Sequence, residues 1–130
     1  MGTFLGGASE KRTYKVKRRN EENYRKKNEN ITKINDLNTF KGEVSALIAK
    51  VDSCKAYITS LYTSLNNSVS DSSNPNMFSS VQNYESDLES ESALLSEVLS
   101  EADELINKFT KENETLDANM YYWEEVTYYA

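Results

Sequence analysis

The stretch FKGEVSALIAKVDSCKAYITSLYTSL, residues 40–65, decides the fold. Within it Phe40, Val44, Leu47, Val51, Cys54, Ile58, Leu61 and Leu65 follow one another at alternating spacings of four and three. That is the apolar seam of a heptad repeat, which keeps one stripe of an α-helix turned toward a neighbour. At ~1.5 Å per residue the seam runs for roughly 38 Å. Ile48, Ala49, Tyr57 and Tyr62 widen the stripe, so this helix is expected to meet more than one neighbour.

A second seam follows. Val81, Leu88, Leu95, Ala102, Phe109, Leu116 and Trp123 recur at every seventh position. Their companion series, Tyr84, Glu91, Val98, Leu105, Glu112 and Asn119, is mostly apolar in its first half and polar after Leu105, while Leu94, Ile106 and Met120 add apolar surface beside it. Between the seams lies NSVSDSSNPN, residues 67–76. Its Ser, Asn and Asp side chains compete for backbone hydrogen bonds, and the residue before Pro75 is driven out of the helical region. A reversal centred between Asp71 and Ser72 brings Ile58 to Tyr84, Cys54 to Leu88, Leu47 to Leu95 and Val44 to Val98. The two seams then meet layer by layer, which predicts an antiparallel hairpin.

The same register extends to the ends of the chain. It sets Arg18 and Arg19 near Glu124 and Glu125, Arg25 and Lys26 near Asp117, Tyr24 near Asn119 and Met120, Ile34 near Phe109, and Glu112 near Ile31. Charge supports this. Residues 1–35 hold ten Lys and Arg against four Glu, whereas residues 36–130 hold five Lys against 17 acids. A basic beginning can cover an acidic end, or it can serve as an arm for nucleic acid or an anionic membrane through residues 10–33. The expected architecture is therefore all-α: one helical domain over 1–130, built as a long antiparallel coiled-coil-like hairpin. A basic helix over 9–36 continues or packs on it, a second helix covers 39–66, a turn covers 67–76, and a long acidic helix covers 77–126. Asn35, Asp36 and Asn38 favour a break between the first two helices, with Asn38 or Thr39 as the cap of the second.

Composition narrows the function. Hydrophobic residues make up 38% of the chain, and Gly (four) and Pro (one) are scarce, which suits helices burying a narrow stripe rather than a turn-rich β-fold. There is no His and a single Cys, Cys54, so zinc sites of the usual kinds and His-dependent triads are excluded. The eight carboxylates from Glu85 to Glu104 surround an apolar seam and are read as a solvated face; Cys54, on the seam, is read as a small hydrophobe. No cofactor, small-molecule substrate or enzymatic activity is expected. No apolar run approaches the ~18 residues of a membrane span. MGTFLGG is too short for a signal-peptide core, and Gly6 stands where a myristoylation signal has Ser or Thr. The expected location is the cytoplasm, or outside the cell after export without a cleaved signal peptide.

The end of the chain, MYYWEEVTYYA, gathers four Tyr, one Trp and two Glu. Tyr and Trp are favoured at interfaces. Tyr121, Tyr122, Trp123 and Glu125, with Tyr24, Arg18 and Arg19 opposite them, are the expected partner-binding residues; Trp123 alternatively closes a core against the first helix. In a helix, Tyr121 and Glu125 stack on one face. That Tyr-x-x-x-Glu spacing near the end of a helical hairpin resembles the export signal of bacterial type VII secretion substrates, the small acidic helical proteins of the WXG-motif and related groups. Phe40-Lys41-Gly42 looks like a degenerate Trp-x-Gly. The family places that motif in the hairpin turn, whereas here it opens the second helix and the turn falls at Pro75. The resemblance implies a partner or targeting chaperone for a larger secreted toxin. A structural subunit of a larger assembly (a virion, filament or scaffold complex) is the competing expectation from the residues alone, with partners or further copies held through the helical seams.

Overall fold

The computed structural model describes residues 10–70 and 72–129. The Gly-containing opening, residues 1–8, and Asp71 lie outside the described residues. The chain runs β1 (Lys11–Arg19), α1 (Glu21–Ser68), α2 (Pro75–Ala118) and β2 (Tyr121–Tyr129). The two long helices pack against each other as an antiparallel hairpin, and the two strands form a small antiparallel sheet. Among the described residues, no helix is long and apolar enough to cross a membrane.

Three boundaries differ from expectation. The first expected helix and the second are one: α1 continues through Asn35, Asp36 and Asn38 without interruption. Its cap is Asn20, whose Oδ1 accepts the Asn23 backbone N–H at 3.1 Å, with Glu21 and Glu22 in the first turn where the helix dipole favours carboxylates. Thr39, expected to be a cap, instead donates its hydroxyl to the Asn35 carbonyl one turn back, at 3.2 Å, a bond that satisfies the hydroxyl inside a helix. Phe40, Lys41 and Gly42 therefore sit within the helix rather than at its start or at a turn, and a Cβ added at Gly42 would meet nothing within 4 Å.

Lys11–Arg19 and Tyr121–Tyr129 are strands where helix was expected. The segments KRTYKVKRR and YYWEEVTYY are dense in Tyr, Trp, Val and Thr, residues that fit a pleated surface. α2 stops short of Trp123 because its last turn tightens: Asn119 N–H donates to the Leu116 carbonyl and Met120 N–H to the Asp117 carbonyl, both at 3.2 Å. At the other end α2 starts on Pro75, a position where the missing proline N–H costs nothing.

By its contacts the chain divides into two compact units. The hairpin unit is Lys33–Lys108. Its register follows the one read from the seams, offset by a single residue: Lys55 Nζ lies 3.9 Å from Glu89, Ser92 donates to Asp52 at 3.1 Å, and Gln82 donates to the Tyr62 hydroxyl at 3.1 Å. Its buried apolar side chains are Val44, Phe78 and Ala102. Phe78, missed in the sequence reading, is the most buried of them at 1% exposure and meets Tyr62 edge-on, ring centroids 5.4 Å apart. Leu94, assigned to the seam's flank, is 60% exposed. The loop that joins the helices holds itself through serines: Ser70 Oγ lies 3.0 Å from Ser72 Oγ and 2.8 Å from Ser73 Oγ, and Ser73 N–H donates to the Ser70 carbonyl.

The terminal unit joins the described residues up to Thr32 with those from Phe109. Asn20 N–H donates to the Met120 carbonyl at 2.6 Å, so the two chain segments meet where strand gives way to helix. Met120 is buried there. Between two and three turns further on, Asn30 is buried at 3% exposure and donates from Nδ2 to Glu112 Oε1 (2.7 Å) and Asn113 Oδ1 (3.0 Å). Glu112 thus meets α1, as its seam position suggested, but through an asparagine beside Ile31 rather than through a basic residue. A satisfied polar layer of this kind costs apolar burial and specifies register.

Candidate functional site

Two surfaces stand out, one on each unit. In the terminal unit every residue of β1 stands opposite one of β2, from Lys11 against Tyr129 to Arg19 against Tyr121. Opposed residues share a face of a sheet. One face therefore carries Lys15 against Glu125, Lys17 against Trp123 and Arg19 against Tyr121, and the other Arg12 against Tyr128, Tyr14 against Val126 and Arg18 against Tyr122. A basic strand is laid along an aromatic one, cation against ring. Diagonal neighbours add to this: Lys17 Nζ lies 4.8 Å from the Tyr121 ring centroid, and the Tyr14 and Tyr128 rings meet edge-on at 5.5 Å. Such contacts contribute roughly 0.5–1 kcal/mol each where exposed.

Arg18 donates to Glu124 at 2.7 Å, the pairing the sequence register placed there. Arg19 lies over the Tyr24 ring, 3.6 Å from its centroid, and binds Glu21; the Glu21 hydrogen bond holds the guanidinium above its ordinary value. Tyr24 was expected beside Asn119, but it is Asn23 that donates to the Asn119 carbonyl, at 3.0 Å. Likewise it is Lys27, not Arg25 or Lys26, that reaches Asp117, at 2.8 Å. Arg25 is held instead between Glu22 and Glu29 on its own helix.

The expected partner-binding residues of β2 are exposed: Tyr121, Tyr122 and Glu125 stand out from the sheet, and Trp123 is 65% exposed. Trp123 therefore closes no core. Tyr121 and Glu125 do not stack as helix neighbours. They lie on a strand, still on one face because their spacing is even, but separated by about 13 Å.

The hairpin unit has two unlike sides. Along one, polar groups bridge the helices: Lys41 to Asp103, Asp52 to Ser92, Lys55 to Glu89, Thr59 to Glu85 and Tyr62 to Gln82. Along the other run Phe40, Leu47, Cys54 and Leu61 from α1, one heptad apart, and Leu105, Val98, Glu91 and Tyr84 from α2. Phe40, Leu47, Leu61, Leu105 and Tyr84 are all exposed, and Cys54, Tyr57, Ile58, Val81 and Tyr84 line an open groove between the helices. Cys54 is half-buried rather than buried. The signal for this side was present in the sequence, in the extra width of the seam around Tyr57; which of the apolar lines stays open was not.

Searches against family models, curated proteins and solved structures find no match to this chain.

Proposed function

We propose that this chain is a non-enzymatic helical interaction protein, and that the apolar side of its hairpin receives a partner. The observation that carries this reading is the asymmetry of the hairpin unit. One side is closed by a ladder of polar bridges, while the other leaves Phe40, Leu47, Leu61, Leu105 and Tyr84 in solvent at heptad spacing. Contiguous exposed apolar surface of this length marks an association site. Within that reading, the chain acts as a partner or targeting chaperone of a type VII-like secretion system, with Tyr121 and Glu125 displayed on one face of β2 for the secretion machinery. The test is export from a type VII-competent host of the wild type against a Tyr121→Ala, Glu125→Ala variant. Export of the wild type and retention of the variant are expected; equal export of both removes the secretion role.

A structural subunit of a larger assembly is the second reading, favoured by the large exposed apolar residues on both units. Light scattering over rising concentration separates the two. Growth without limit supports an assembly subunit, and a discrete small species supports an interaction protein.

A further inference from the structure

Among the described residues, β2 has a hydrogen-bonded neighbour on one edge only. The polarity of the other edge follows from the sheet. Asn20 N–H donates to the Met120 carbonyl, and this pair continues the strand register. Hydrogen-bonded and non-bonded pairs alternate along an antiparallel ladder. Tyr122, Glu124, Val126 and Tyr128 therefore turn their backbone groups toward β1, and Tyr121, Trp123, Glu125, Thr127 and Tyr129 turn theirs outward.

Read in both directions from Glu125, the two ends of the strand YYWEEVTYY mirror each other: Tyr121 answers Tyr129 and Tyr122 answers Tyr128, while Trp123 stands against Thr127 and Glu124 against Val126. A strand paired antiparallel with its own copy about a two-fold axis sets each residue against its mirror position. With the axis at Glu125, every outward-turned residue meets an outward-turned one, and the tyrosine pairs of each end meet the tyrosine pairs of the copy. We propose that β2 is the dimerisation strand of this protein: a second copy pairs along its open edge, giving a four-stranded sheet in the order β1–β2–β2–β1.

The occupant is a second copy because the strand is complementary to itself, in hydrogen-bond polarity and in aromatic pattern. The opposite edge of the sheet does not compete. β1 carries Lys11, Arg12, Lys15, Lys17, Arg18 and Arg19, and an edge dense in cations repels its own copy. At the axis Glu125 meets the copy's Glu125, but each stands opposite Lys15 of its own sheet, so the row reads cation, carboxylate, carboxylate, cation. An isolated two-stranded sheet is marginal in water, and four strands are not. The proposal does not depend on Tyr121 and Glu125 being recognised by a secretion apparatus.

Sedimentation of the full chain from low to high micromolar concentration tests it, with two kinds of variant. Thr127→Pro removes an outward N–H while leaving the bonds to β1. Glu125→Cys in a Cys54→Ala background puts thiols on the axis, where paired Cα atoms stand ~5.5 Å apart, within disulfide reach. Lys15→Cys in the same background puts them on the outer strands, roughly 14 Å apart. The expected results are a wild-type dimer, a Thr127→Pro monomer, and oxidative cross-linking at position 125 but not at 15. A wild type that stays monomeric throughout, a dimer untouched by Thr127→Pro, or cross-linking at 15 as fast as at 125 would each overturn the proposal.

Discussion

The hairpin unit and the terminal unit are held together by different forces. In the hairpin unit the register comes from apolar layers: Val44, Phe78 and Ala102 are buried, and the polar bridges lie to one side. In the terminal unit it comes from polar and aromatic specificity: a buried asparagine, a basic strand against an aromatic strand, and ion pairs such as Arg18 with Glu124 and Lys27 with Asp117. Apolar layers are strong but tolerant, because a seam can slip by a heptad and still bury its residues. Polar layers are weaker but selective, because a slipped asparagine or cation loses its partner. The chain places the tolerant interaction in its middle and the selective ones at its ends.

The sharpest way to break this contrast is Phe78→Ala. It removes the largest fully buried side chain and its contact with Tyr62. A loss of about 3–5 kcal/mol is expected in denaturant unfolding; a loss below a third of that would mean the hairpin does not depend on its apolar layers. Asn30→Ala probes the other unit. Glu112 is exposed and can return to water, so the cost is smaller, about 1–2 kcal/mol. Chemical-shift changes should centre on Asn113 and Lys27, whose carbonyl accepts from Asn113 at 3.4 Å.

Leu47→Gln compares the two sides of the hairpin itself. Leu47 is exposed, so the unfolding midpoint should move by no more than ~0.5 kcal/mol, while association through the apolar side is lost. A large drop in stability would place Leu47 in the core of the isolated chain instead. The smallest effect is expected from pH. The hydrogen bond from Arg25 holds the Glu22 carboxyl below its ordinary value. A lowered carboxyl favours the folded state at pH values above the ordinary carboxylate range, and that contribution disappears as pH falls through the lowered value. Arg19 and Arg25 are raised from values that are already high, so their contribution is fully present near neutrality and adds no pH dependence there. A carboxyl titration of Glu22 by NMR should show a midpoint below that of a free glutamate, and Arg25→Ala should restore it.

How much was legible varied along the chain for identifiable reasons. The hairpin and its register were readable because heptad spacing states directly which side of a helix is buried, and two seams of matching phase admit few alignments. Glu112 was singled out because it interrupts a seam, and it does mark the polar layer with Asn30. Phe78 was missed because it lies outside the seven-residue series, and its burial depends on Tyr62 from the other helix. The strands were missed because the heptad series runs on through Leu116 to Trp123, so periodicity alone extended the helix. The β-forming composition of YYWEEVTYY was visible, but its partner lies more than a hundred residues away.

By itself, then, the order of residues determined two seams, the turn between them, the exclusion of His-based chemistry, and the neighbourhood of Arg18 and Glu124. Those depend on spacing and charge, which a linear chain carries in full. Only the tertiary structure decided that α1 runs unbroken through Asn35–Asn38, that Lys11–Arg19 and Tyr121–Tyr129 are strands, and which apolar line remains open. A segment such as Tyr121–Tyr129 has nothing to pair with until α1 and α2 have brought Lys11–Arg19 beside it. Its backbone groups are satisfied by that distant strand, so its conformation belongs to the folded chain and not to the segment.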